Sequence, residues 1–114
     1  MKMEHVTIQT ACLDESVKFY SEIAGLKIQR EMKGPFSIVF LANAEDETCI
    51  ELIESKDICY SGEGISIGFH VPDVEKYHEE LQKKGFDPTP IEAPAPNVKF
   101  FFVKDPGGVM IQFI

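Results

Sequence analysis

Basic residues are few in this 114-residue chain: 11 Lys and Arg stand against 19 Asp and Glu, a formal net charge of −8. A surface of that sign repels phosphate backbones, so nucleic acid is not an expected partner. Cysteine is scarce too; three residues, an odd number, make no disulfide framework and fit a reducing compartment. No apolar run approaches the roughly 20 residues of a membrane helix, and the opening MKMEHV passes into strand pattern rather than a signal peptide. A soluble cytoplasmic protein with no membrane partner is expected. A Gly-rich phosphate loop, a CxxC pair and a nucleophile elbow are also missing, which removes the usual signatures of phosphate-loop, dithiol and serine-nucleophile chemistry.

What is present begins with enough apolar matter for one ordinary globular domain, 44% of the residues. The stretch Asp105 to Ile114, DPGGVMIQFI, is a turn that feeds a buried strand: Pro106 presets φ and the glycines tolerate positive φ. That strand has an earlier echo. Cys49 to Ile53 aligns with Met110 to Ile114 at an offset of 61, which makes Glu51 and Gln112 equivalent, and the same offset carries His5 onto Ser66. After each first strand comes an aspartate suited to capping a helix, Asp14 or Asp73, and after each helix a glycine, Gly25 or Gly85. Two halves of one plan therefore span the chain.

In order, His5 to Gln9 alternates as a strand, and Leu13 to Ala24 has helical spacing with a stripe of Val17, Tyr20 and Ile23 or Ala24. Lys27 to Met32, Ser37 to Ala42 and Thr48 to Glu54 read as strands, completing βαβββ. Module 1 thus covers about 1–55, a polar linker about 56–63, and module 2 about 64–114. In module 2, Ile65 to Val71 is a strand and Asp73 starts a helix with a stripe of Val74, Tyr77 and Leu81. Phe86 to Ile91 reads as a proline-interrupted edge strand, Glu92 to Asn97 as a stiff loop, and Val98 to Lys104 and Met110 to Ile114 as the last strands.

The fold class is α+β: two βαβββ modules, each a sheet with its helix on one side, forming a half-open barrel around a cavity. Alternation sends His5, Thr7, Gln9, Cys49 and Glu51 of module 1 to the helix-free face. Ser66, Gly68, His70, Met110 and Gln112 of module 2 follow the same rule. Such a mixed polar lining suits a small molecule or a metal ion, or else a solvated open sheet face. His70 lies four residues past Ser66, roughly 13 Å along an extended strand, too far to share a ligand shell with the Ser66 position. His78 reads as a helix residue with no chemistry.

These features resemble the vicinal oxygen chelate superfamily, which includes glyoxalase I, extradiol dioxygenases and bleomycin-resistance proteins. The resemblance rests on the His5 strand followed by LDESVKFYSEIAGLKI, on ETCIELIE, on GISIGFHVPDVEKY and on the ending DPGGVMIQF. It implies a metal centre built from four equivalent strand positions, here His5, Glu51, Ser66 and Gln112. Ser66 stands where a histidine is usual and Gln112 where a glutamate is usual. Neutral donors weaken a divalent site, so His5, Glu51 and Gln112 form the expected ligand set, for nickel, zinc, manganese or iron, or for no ion at all.

Two functions follow from the resemblance. One is a metal-dependent lyase or isomerase of non-classical type, related to lactoylglutathione lyase, in which Glu51 moves a proton. The other is a metal-free module that sequesters a small, antibiotic-type molecule. The resemblance also implies a homodimer, an assembly that would help to cover the run Phe100, Phe101, Phe102.

Overall fold

The computed structural model describes all residues, 1–114, as two compact units, Met1–Ser61 and Gly62–Ile114. The first contains β1 (His5–Thr10), α1 (Leu13–Glu22), β2 (Lys27–Met32), β3 (Ile38–Ala42) and β4 (Cys49–Glu54). The second contains β5 (Ser66–Phe69), α2 (Val74–Lys83), β6 (Glu92–Ala95), β7 (Val98–Lys104) and β8 (Met110–Phe113). Both units are βαβββ, and both sheets are mixed. Their strand orders, β1-β4-β3-β2 and β5-β8-β7-β6, are the same order twice, with the first and last strands of each unit parallel. A parallel pair needs a long crossover, which the helix and two intervening strands supply.

In the first unit Ile8, Thr10, Ile50 and Leu52 are buried on one face, and α1 contributes Leu13, Ser16, Phe19 and Tyr20, followed by Ile23. The stripe is rotated slightly from the expected one, because Val17 is only half-buried while Ser16 and Phe19 lie inside. Asp14 does not cap this helix. Cys12 holds the cap position without a side-chain capping bond, its N–H donating to Thr10 Oγ1 at 3.1 Å, and Asp14 falls in the first turn, where a carboxylate still favours the helix N-terminus. The helix also stops earlier than Ala24, with Ile23 at its C-cap and Gly25 at φ +72° turning the chain.

In the second unit Asp73 is the cap, its Oδ1 accepting from Lys76 N at 3.0 Å. Val74 and Leu81 are the buried residues of α2, and His78 is absorbed by packing: its Nε2 bonds the Thr89 carbonyl at 2.8 Å and its ring meets Phe101 edge-on. The sixth strand differs from the sequence reading. Phe86 to Ile91 is not a strand, since Pro88 and Pro90 leave only Thr89 to bond β7, through its N–H to the Phe102 carbonyl and its Oγ1 from Phe102 N. The edge strand is Glu92–Ala95, within the stretch expected to be a stiff loop; an outer strand tolerates Pro94, whose missing donor breaks no interior ladder. β5 also ends at Phe69 rather than Val71, although Val71 N still bonds the Ile114 carbonyl at 2.7 Å. Of the three phenylalanines in β7, Phe101 is fully buried against Phe113, while Phe100 and Phe102 meet edge-on and are half-buried.

Candidate functional site

On the helix-free face of the first sheet, strand register sets four side chains in one row. Thr7 pairs with Glu51 across β1 and β4, Glu51 with Phe40 across β4 and β3, and Phe40 with Arg30 across β3 and β2. Register partners share a face, so the row Thr7, Glu51, Phe40, Arg30 runs across the whole sheet at about 4.8 Å per strand. His5 lies two residues from Thr7 on the same face, beside Cys49.

Contacts tie the row together. Thr7 Oγ1 donates to Glu51 Oε1 at 2.5 Å, and His5 Nε2 stands 3.4 Å from the same oxygen. The Glu51 side chain is 12% exposed against 44% for His5, so the carboxylate is sheltered and the imidazole reaches solvent. Phe40 forms the floor: it is buried, the His5 ring meets it edge-on at 6.2 Å, and the Arg30 guanidinium lies 4.3 Å over its centroid. Beside this floor opens a cleft of about 480 Å³ lined by Gln29, Arg30, Phe40, Glu45, Asp46 and Cys49. Gln9 sits further along β1, half-buried, opposite Ile53. A carboxylate held by a hydroxyl and flanked by an imidazole can accept a proton from a bound hydroxyl or acidic C–H.

The corresponding place in the second sheet is chemically milder. Gly68 pairs with Gln112, Ser66 with Met110 and Phe102 with Gln112, the same register as in the first sheet. Gly68 leaves room for the amide: a Cβ there would stand 3.1 Å from Gln112 Oε1. No hydroxyl supports Gln112 as Thr7 supports Glu51, since Gly68 has no side chain. His70 falls beyond the end of β5, at a separate cleft of about 540 Å³ lined also by Asp73, Asn97 and the ion pair of Glu75 and Lys99. In that pair the hydrogen bond from Lys99 draws the Glu75 carboxyl below its ordinary range and raises the Lys99 ammonium. Burial raises the Tyr77 phenol nearby.

Nowhere do three His, Cys, Asp or Glu side chains gather as metal ligands. The first sheet nevertheless offers a fitting pair: two ligands each ~2.1 Å from one ion at a tetrahedral angle stand about 3.4 Å apart, the separation of His5 Nε2 and Glu51 Oε1. The donors fit an ion held by two strong ligands and do not fit one held by four, because Ser66 and Gln112 are neutral.

A family model described as Glyoxalase/Bleomycin resistance protein/Dioxygenase superfamily matches residues 2–113. The chain belongs to this superfamily. Among superfamily relatives, the lactoylglutathione lyase of Haemophilus influenzae is 27% identical, over all of this chain and 92% of its own length. The trypanothione-dependent glyoxalase I of Leishmania major superposes with a TM-score of 0.82 at 28% identity, covering all of this chain and 86% of that one. TnmS3, an antibiotic-binding protein from Streptomyces sp. CB03234, superposes with a TM-score of 0.79 at 16% identity over 99% of this chain and 93% of that one, a likeness of fold alone. Strand alternation in the sequence places His5, Thr7, Cys49 and Glu51 on this face, and the family resemblance singles out His5 and Glu51. Sequence reasoning did not single out Arg30 or Phe40; for Arg30, a register shift between Ile28 and Arg30 hides the alignment of β2 with β3 from any count of alternating residues.

Proposed function

We propose that this protein binds a small oxygen-bearing molecule on the helix-free face of its first module, with Glu51 as the proton acceptor and Thr7 and His5 positioning it. The observation that carries the reading is the sheltered Glu51 carboxylate, bonded by Thr7 and flanked by His5 over the Phe40 floor. It is a non-classical member of its superfamily. Where a divalent ion is loaded, His5 and Glu51 would be its strong ligands, and the ion would polarise an oxygen of the ligand. The remaining cavity residues expected from sequence, Gln9, Ser66, Gly68, His70 and Met110, are assigned no proton-transfer role.

A thermal-shift panel of small hydroxy acids, oxo acids and dicarbonyl compounds tests the reading, run with and without a chelator. Ligand at about 100 times its Kd stabilises a protein by about 2.7 kcal/mol, a readily visible shift. At least one compound should raise Tm in wild type and fail to do so in Glu51→Gln; a panel without effect on wild type removes the reading. A shift that survives chelation selects metal-free binding, the mode that the antibiotic-binding fold relative makes reasonable. Assembly as a homodimer is part of the same proposal, and a monomer mass in sedimentation equilibrium at micromolar concentration would end it.

A further inference from the structure

Arg30 is the one strong cation on the row that contains Glu51, and its guanidinium is committed to no carboxylate. It lies over the Phe40 ring, and no ion pair involves it, although Glu45 and Asp46 line the same cleft. Those two acids are exposed on the turn between β3 and β4, and the carbonyl of Asp46 is engaged by Lys2. A guanidinium held over an aromatic ring without a carboxylate partner keeps N–H groups free to bind, and arginine can take a carboxylate by two parallel hydrogen bonds.

Register supplies the second half of the inference. Phe40 is the direct neighbour of Glu51, so a guanidinium drawn back over Phe40 sits about one strand spacing, ~5 Å, from the Glu51 strand. Arg30 and Glu51 are the two register neighbours of Phe40 on one face of the sheet, and the cleft over Phe40 is lined by Arg30 and by Cys49 of the Glu51 strand. The matching ligand presents an anion to Arg30 and, three or four bonds away, a hydroxyl or acidic C–H to Glu51. We infer that Arg30 is the anion-binding element of this face, and that the natural ligand is a short carboxylic acid of about three to five carbons carrying a hydroxyl or carbonyl group. Cys49, in the same cleft, closes one side as a small half-buried residue. The inference rests on the small-molecule reading of the Glu51 face and assigns a ligand class to it.

Calorimetric titration with 3-hydroxybutyrate and its uncharged analogue 3-hydroxybutyramide separates the two claims. In wild type the acid should bind at least about tenfold more tightly than the amide, and Arg30→Gln should bring the acid down to the amide's level without moving the amide. Arg30→Lys, which keeps the charge and loses the fork, should fall between. Equal binding of acid and amide to wild type, or an acid affinity unmoved by Arg30→Gln, overturns the role of Arg30; if Glu51→Gln then weakens both compounds, the small-molecule reading survives that loss. Absence of binding by either compound to wild type overturns the ligand class assigned here, and the small-molecule reading is then judged by the thermal-shift panel alone.

Discussion

Gln112 stands in the second sheet where Glu51 stands in the first. Each is the parallel-register partner of the third residue of its unit's opening strand run, Thr7 for Glu51 and Gly68 for Gln112, and each has a phenylalanine on its other side, Phe40 or Phe102. One architecture has thus been given two chemistries. The first copy holds a supported carboxylate beside an imidazole, and the second holds a neutral amide above a bare glycine.

The difference can be erased. Ser66→His with Gln112→Glu gives the second sheet the same imidazole and carboxylate as the first, and strong donors replace neutral ones. Calorimetric titration with Zn²⁺ should show at least about tenfold tighter binding in the double variant than in wild type. An unchanged affinity would mean that the two strands do not present these positions equivalently. His5→Ala in the wild-type background should reduce whatever heat is seen; equal heats would take His5 out of any site.

Support from Thr7 should be measurable without any ligand. Thr7→Val keeps the shape and removes the donor to a sheltered carboxylate, so chemical denaturation should show a loss of about 1.5–3 kcal/mol, the range for hydrogen bonds to charged groups. Thr7→Ser retains the hydroxyl and should recover most of it.

A purely structural device anchors the turn before β8. Asp105 is 4% exposed, and its Oδ1 accepts from Gly107 N and Val109 N, both at 2.9 Å. Asp105→Ala leaves two backbone donors unpaired in that turn and should cost about 2–4 kcal/mol. Asp105→Asn, which keeps an accepting oxygen, should cost less in the same denaturation experiment.

Most of the architecture is legible in the sequence alone. The offset of 61 between Glu51 and Gln112 announced the repeat, and period-two alternation placed His5, Thr7 and Glu51 on one face, because a buried helix-facing side enforces it. The misplaced sixth strand and the missed Arg30 have a shared cause. Edge strands answer to one neighbour only, so Pro94 and the irregular pairing near Arg30 could settle where local geometry allowed, and neither leaves a periodic trace. Asp14 misled because a first-turn carboxylate and a capping carboxylate look alike in sequence, whereas Thr10, Cys12 and Ser16 carry the local hydrogen bonds.

The exposed pair Glu75 and Lys99 should leave a pH signature of small size. The Glu75 carboxyl is lowered, so the stabilisation it supplies is present above the ordinary carboxylate range and disappears as pH falls through its folded value. The Lys99 ammonium is raised, so its contribution is present below the ordinary lysine range and disappears as pH rises through its folded value. Both groups meet solvent, and the effect should fade in high salt. NMR titration of the Glu75 side chain in wild type and Lys99→Met checks it: the midpoint should move up in the variant.

The most direct test of the central claim is chemical-shift mapping of the labelled protein with the compound that stabilises it most in the thermal-shift panel. The account predicts that the perturbed amides centre on Thr7, Phe40, Cys49 and Glu51, and that Glu51→Gln abolishes the pattern. Perturbations centred instead on His70, Asp73 and Lys99, with the Glu51 face silent, would contradict it.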